Sequence, residues 1–360
     1  MAERSFLDPP PRRGAALVRR RRSILPGGGG ASLLAALLVL LALAALPSAA
    51  ALLDEPFLIR FFTRIMVMAI AAMSLDLILG FGGMVSLGHA AFVGIGAYAV
   101  GILSWHATNA EPLLSWPVAI QGTESAFVAW PAAVLAAALA ALAIGLVSLR
   151  TSGVFFIMIT LAFAQMLYFF FIALQKYGGE DGLQLMERSS LGPVDLGDRI
   201  TFYYVVLVVL ACCLGFAARL VRSRFGMVLR GCRQNERRLL AIGIPTTRYK
   251  LAAFVIAGAM GGLAGVLLAN SQSFVSPADM AWTRSGEILV MVILGGMGTL
   301  VGPILGAAAY LLLELVIGSY TTHWQVIFGP ALIAVVLFAK RGLYGLLVPG
   351  GAGRNGGGDG

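Results

Sequence analysis

Ten apolar segments of roughly membrane-spanning length follow one another between residues 31 and 340. They lie at 31–53, 59–80, 84–104, 126–148, 154–175, 201–219, 250–270, 286–298, 301–318 and 325–340. A hydrocarbon core needs about 20 apolar residues of helix to cross it. The eighth segment is short for that, so it is expected to be tilted, extended by its flanks or re-entrant. The chain is 59% hydrophobic and 12% charged, whereas soluble domains run at roughly half and a quarter. No soluble core hides that much apolar surface. The expected fold is an all-α polytopic membrane protein with about ten transmembrane helices, a single bundle spanning 31–346. Basic and glycine-rich tails are expected to be disordered at 1–30 and 347–360.

Charge asymmetry sets the expected orientation. The first thirty residues carry seven arginines, and the stretch 219–250 carries nine Arg or Lys against one acid, Glu236. The stretch 105–125 has no Lys or Arg and two glutamates. Ten alternating crossings put both termini and 219–250 in the cytoplasm, and 105–125 outside. The net charge of +9 thus reflects topology, not nucleic-acid binding. Arg60 and Arg64, near the outer end of the second segment, fit worst and are expected to snorkel or lie in the interface. Glu314 is expected as an interfacial charge. The first segment, ending in "PSAAALL", also reads as a signal peptide with a small-residue cleavage site.

One glycine-rich stretch is written twice. Gly82-Gly83-Met84-Val85-Ser86-Leu87 aligns with Gly295-Gly296-Met297-Gly298-Thr299-Leu300. Paired glycines suit a tight or left-handed turn, and a hydroxyl after them suits the N-cap of a new helix. Ser86 and Thr299 are therefore expected N-caps. Each stretch reads either as a hairpin between spans or as a broken helix lining a solute path. Gly88 belongs to the same turn. His89 is expected to hydrogen-bond a neighbouring helix, with solute contact the lesser reading and no catalytic partner at motif spacing. Asp76 sits inside an apolar run, where a charge is costly and functional by default; a packing hydrogen bond is the equal alternative. Gly261-xxx-Gly265 and Gly302-xxx-Gly306 allow close helix packing. The three cysteines match neither a disulfide framework nor a metal site.

The segment 222–250 is polar and organised. Gly226 through Leu240 reads as one short amphipathic helix, broken by "GIP" at 243–245. It is expected either to dock a soluble partner or to lie on anionic lipid. The chain has no phosphate-binding GxxxxGK[ST] motif, so any ATP driving it must bind another chain. No cofactor, metal or enzyme activity is expected.

Six motifs in order resemble the permease subunits of branched-chain amino acid ABC importers, the LivM type. They are "LILGFGGMVSLGHAAFVGIGAYAVGIL", "YGGEDGL" at 177–183, "SRFGMVLRGCRQNERRLLAIGIPTTRYKLAAFVIAGAMGGLAG", "FVSP" at 274–277, "LGGMGTLVGPILGA" at 294–307 and "KRGLYGLL" at 340–347. The resemblance covers about 65 to 346. It implies a second permease of the LivH type, two cytoplasmic ATPases carrying the ATP, an extracytoplasmic binding protein, and a bacterial inner membrane. It makes 222–250 the ATPase-coupling element, with Arg224, Gly226, Arg230, Asn235, Glu236, Gly243 and Lys250 at family positions. Gly178, Gly179, Asp181 and Gly182 would form an outer loop. Asp76 stands where the family commonly has Asn, Met84 where Gln is common, and Cys232 and Gln234 replace the usual Ile and Glu. Cargo other than branched-chain amino acids, such as urea or a short amide, fits the same family. A different class, an ion-coupled secondary transporter using Asp76, would need no ATPase.

Overall fold

Backbone polar groups in lipid find partners most simply within a helix, and helices dominate the computed structural model. It describes residues 29–53, 55–114, 120–186, 188–190, 192, 196–320, 326, 329, 330 and 342–347. Most of the expected N-terminal tail, the expected C-terminal tail beyond Leu347, and nearly all of the tenth apolar segment lie outside these residues.

Helix α1 runs Gly29–Leu53 and α2 Pro56–Asp76. Proline at the first turn of α2 sacrifices no helical hydrogen bond. A π-helical turn, Leu77–Phe81, continues α2. Then come α3 (His89–Thr108), α4 (Ala126–Ser148), α5 (Val154–Ala173), α6 (Arg199–Arg222), α7 (Arg224–Ala241) and α8 (Thr246–Gln272). Helices α9 (Trp282–Gly295), α10 (Gly302–Tyr320) and α11 (Gly342–Leu347) complete the order. Two small antiparallel ribbons pair β1 (Pro112–Leu114) with β2 (Ile120–Gln121), and β3 (Leu183–Gln184) with β4 (Phe274–Val275).

Seven helices among the described residues are long and apolar enough to cross a membrane: α2 with its π turn, α3, α4, α5, α6, α8 and α10. The chain is thus an all-α polytopic membrane protein. The third expected span, 84–104, is corrected at its start, because residues 84–88 form an irregular turn and helix begins only at His89. The eighth is the 14-residue α9, about 21 Å long at 1.5 Å per residue.

Helix α2 is buried along almost its whole length, wrapped by α6, α8, α9 and α10. Helix α8 packs most closely on α3 and α4, and its glycines explain why. Gly261 and Gly265 face α3, with Gly265 against the Val93 carbonyl, while Gly258 and Gly262 face Ala141 and Ala137 of α4. Two small-residue stripes on one helix let two neighbours approach at backbone distance. Gly306 does the same between α9 and α10, against the Met291 carbonyl. Polar links add to this packing. Tyr203 Oη of α6 donates to the Leu43 carbonyl of α1 at 2.6 Å. Arg64 of α2 meets Glu314 of α10 at 3.4 Å. Both charges are expected at the interface; they stay partly exposed and face each other, which offsets the cost of a charge beside lipid.

A side chain at the α3–α8 contact should not fit. Gly265→Leu or Gly96→Leu, each overlapping backbone of the facing helix, should cost about 1–3 kcal/mol or more and abolish the monodisperse peak in detergent gel filtration. Gly215→Leu, with no atom within 4 Å of its Cβ position, should retain it.

Candidate functional site

The two glycine-rich stretches lie together, held by the side chains of Asp76 and Arg233. The first follows the π turn of α2. Gly83 adopts φ +72°, and its N–H and that of Met84 donate to Leu79 and Ile78 carbonyls at 3.0 and 2.9 Å, closing the broken end. The second follows α9, with Gly296 at φ +114° and Gly298 at +77°. Side chains other than glycine rarely take those angles.

The hydroxyls behave differently from one another. Thr299 Oγ1 donates to the Gly296 carbonyl at 2.7 Å and accepts from the Gly302 N–H at 3.1 Å, so it fastens the turn and satisfies the first residue of α10. Ser86 does not cap α3, which corrects the expectation. Its Oγ accepts only from the Gly88 N–H at 3.3 Å, and the N-cap position is Gly88 with no side-chain bond. The cap comes from another helix: Ser285 Oγ of α9 accepts from the Ala90 N–H at 3.0 Å. Gly88 lies against the Thr160 carbonyl of α5, which leaves no room for a larger residue. His89 is fully buried, and its Nε2 lies 2.7 Å from Ser74 Oγ. Ser74 spends its own proton on the Ala71 carbonyl, so His89 Nε2 donates and ties α3 to α2.

Asp76 joins the two stretches. Its Oδ1 accepts from the Gly298 N–H at 2.8 Å, across 222 residues of sequence, and the residue is 2% exposed. Gly80 sits directly beneath, against both Asp76 and Gly298. The Gly80 carbonyl, freed where α2 breaks, accepts from Arg233 Nη1 of α7. Arg233 also lies over Gly83, its Cγ 3.0 Å from where a Cβ would stand, and Leu229 Cδ1 lies 3.3 Å from the corresponding position at Gly82. Helix α7 therefore rests on the first turn and reaches the second. Arg233 was not among the residues expected from the sequence. Its signal was spacing: Leu229 and Arg233, four apart, share a helix face.

The rest of the 222–250 segment divides into fasteners and surface. The single expected helix is corrected to two, because Asn235 is extended (φ −161°, ψ 97°). Its Oδ1 accepts from the Arg238 N–H at 3.0 Å, capping a second short helix. Gly226 lies against the Val221 carbonyl at the α6–α7 corner. Arg230 donates to the Gly226 and Val221 carbonyls at 3.2 and 3.3 Å. Glu236 Oε2 meets Lys250 Nζ at 2.6 Å, and its Oε1 accepts from Thr246 Oγ1 at 2.9 Å. These residues bind α7 to α6 and α8. Arg224 and Gly243 are exposed, on a surface that also presents Met227, Leu240 and Ile242.

On the opposite side of the bundle, Gly178, Gly179 and Gly182 adopt positive φ, and Asp181 is exposed in the same turn. The turn leads into β3, whose Leu183 pairs with Val275 of β4. The "YGGEDGL" and "FVSP" motifs thus form one seam. Among the described residues, no group of His, Cys, Asp and Glu is placed to hold a metal ion.

Asp76→Ala should leave the Gly298 N–H buried and unpaired, destabilising by about 1–3 kcal/mol, whereas Asp76→Asn keeps an acceptor and should lose less; thermal unfolding in detergent reads the difference. Partial burial works to raise the Glu236 carboxyl, but the Lys250 and Thr246 bonds outweigh it and hold it below the usual carboxylate range. A carboxyl held low in the folded state stabilises above its unfolded pKa and ceases to as pH falls through the folded one. The α7–α8 corner should therefore hold at neutral pH and loosen as pH falls below the ordinary glutamate range, seen as lost amide protection over 246–250 relative to the intrinsic exchange rate at each pH. Glu236→Gln should remove that pH dependence.

Residues 57–338 match the family model for the branched-chain amino acid transport system / permease component. The chain is 26% identical over 311 residues to the high-affinity branched-chain amino acid transport system permease protein LivM of Salmonella typhimurium, covering 80% of this chain and 70% of that one. The LivM protein of Escherichia coli gives the same figures. The permease protein LivH of Escherichia coli is 29% identical over 125 residues, covering 34% and 40%. No solved structure matches the chain. With most of its length inside the family model and its helices ordered as a polytopic bundle, the chain belongs to the branched-chain amino acid transport system permease family.

Proposed function

We propose that this chain is one permease subunit of an ATP-driven ABC importer, carrying branched-chain or related amino acids inward. The observation that carries the reading is Arg233, which extends from α7 to the Gly80 carbonyl and lies beside Gly83 and Gly298 of the two glycine-rich turns. In this reading α7 is the coupling helix, and its exposed Met227, Leu240 and arginines, with Ile242 just beyond its end, meet a cytoplasmic ATPase. ATP binding and hydrolysis belong to that partner. Closure of two ATPases moves α7, Arg233 carries the displacement to the Gly80 carbonyl, and Asp76 passes it to Gly298. The turns then shift α2, α9 and α10 together and alternate the access of the pathway. A second permease of the LivH type completes the pathway, and an extracytoplasmic binding protein selects the solute. Ten crossings follow if α1, α9 and the 325–340 segment each count as one. Both termini and α7 then lie in the cytoplasm of a bacterial inner membrane.

Arg230 and Glu236 act in this scheme by holding α7 in place, not by touching the ATPase. The assembled complex in proteoliposomes tests it. Arg233→Ala should cut uptake about tenfold or more while ATP hydrolysis continues, since the loss is one of transmission; proportional loss of both counts against coupling through Arg233. Gly83→Leu, forced out of a left-handed turn, should also block uptake. Solute accumulation by this chain alone under a proton or sodium gradient would remove the ABC reading.

A further inference from the structure

Four arginines at the end of the bundle away from α7 converge on one pocket. Arg60 and Arg64 come from the first turns of α2, Arg199 opens α6, and Arg188 precedes it; together they line a cavity of about 180 Å³ with Ser271 at the end of α8 and Phe202 on α6. No acidic side chain lines it among the described residues. Arg188 is held in place by the Leu196 carbonyl at 2.9 Å and lies over the Phe202 ring at 5.2 Å. Arg64 is braced from behind by Glu314. Arg60 and Arg199 are exposed and make no ion pair within 4.0 Å to a described residue. In the proposed orientation this is the outer side, where membrane proteins avoid clustering Arg near their spans. Topology therefore gives no reason for these four charges.

Depth and surroundings identify what they hold. Helix α6 has 24 residues with Arg199 at one end and Arg219 and Arg222 near the other, about 36 Å apart in length, so Arg199 stands at headgroup level. The neighbouring Phe57, Ile200 and Tyr204 are exposed apolar side chains on the same ends of α2 and α6, placed for acyl chains. Guanidinium groups bind phosphate oxygens with paired N–H donors, and this pocket opens between the ends of two membrane-spanning helices, α2 and α6. A free amino acid also carries an ammonium, for which the lining offers no carboxylate.

We propose that this pocket is an oxyanion site that holds the phosphate of an anionic phospholipid. The full-length chain in detergent tests it by thermal unfolding with short-chain phosphatidylglycerol, short-chain phosphatidylcholine, inorganic phosphate and leucine as separate probes. Phosphatidylglycerol should raise the midpoint by about 3 °C or more. Arg60→Gln/Arg199→Gln should lose at least half of that rise. Arg222→Gln/Arg224→Gln, at the other end, should keep it. An equal rise with phosphatidylcholine, phosphate or leucine overturns the assignment to anionic lipid. An equal phosphatidylglycerol rise in the wild type and Arg60→Gln/Arg199→Gln overturns the site.

Discussion

Breaking a helix inside a membrane protein frees backbone groups that lipid cannot satisfy, and this constraint organises the α7 end of the bundle. The Gly80 carbonyl and the Gly298 N–H are two such groups. Arg233 donates to the first and Asp76 accepts from the second. The breaks, the buried aspartate and the arginine from α7 thus form a single arrangement. Without the two polar side chains, the glycine turns would carry unpaired backbone groups. Without the turns, a buried aspartate and a reaching arginine would have nothing to bind.

A second set of contacts keeps the surrounding helices close enough for this to hold. Helix α8 presents one row of glycines to α3 and another to α4, so its backbone meets the Val93 carbonyl on one side and the methyl groups of Ala137 and Ala141 on the other. Ser285 and His89 add hydrogen bonds at the start of α3, to the Ala90 N–H and to Ser74. Each fixes one end of a broken element against a neighbour. The irregular residues 84–88 thus lead into a helix start that is tied to both α2 and α9.

The sequence made the helices legible because their signal is local: apolar length, charge at the ends, and glycines beside hydroxyls. The order of motifs also carried the family. Pairings over long separations left no such trace. Asp76 and Gly298 are 222 residues apart, Ala90 and Ser285 195, Arg233 and Gly80 153. Ser86 looked like a cap from its spacing, yet the tertiary structure supplied a better-placed hydroxyl from α9. Asn235 broke a helix that amphipathic periodicity had joined, because periodicity reports side-chain faces and not the one extended residue between two turns. Arg230 and Glu236 matched family positions, but only coordinates could reveal that both bond inward.

The β3–β4 seam gives α8 a particular character. At one end, Leu185 N–H donates to the Ser273 carbonyl at 3.0 Å and Asn270 accepts from the Ser189 N–H at 2.9 Å, so the α5–α6 loop is riveted to the end of α8. At the other end, Thr246 and Lys250 are gripped by Glu236. Between them runs a 27-residue helix, about 40 Å of continuous rod. The α5–α6 loop and α7 are thus fastened to opposite ends of one unbroken helix, a connection separate from the glycine turns.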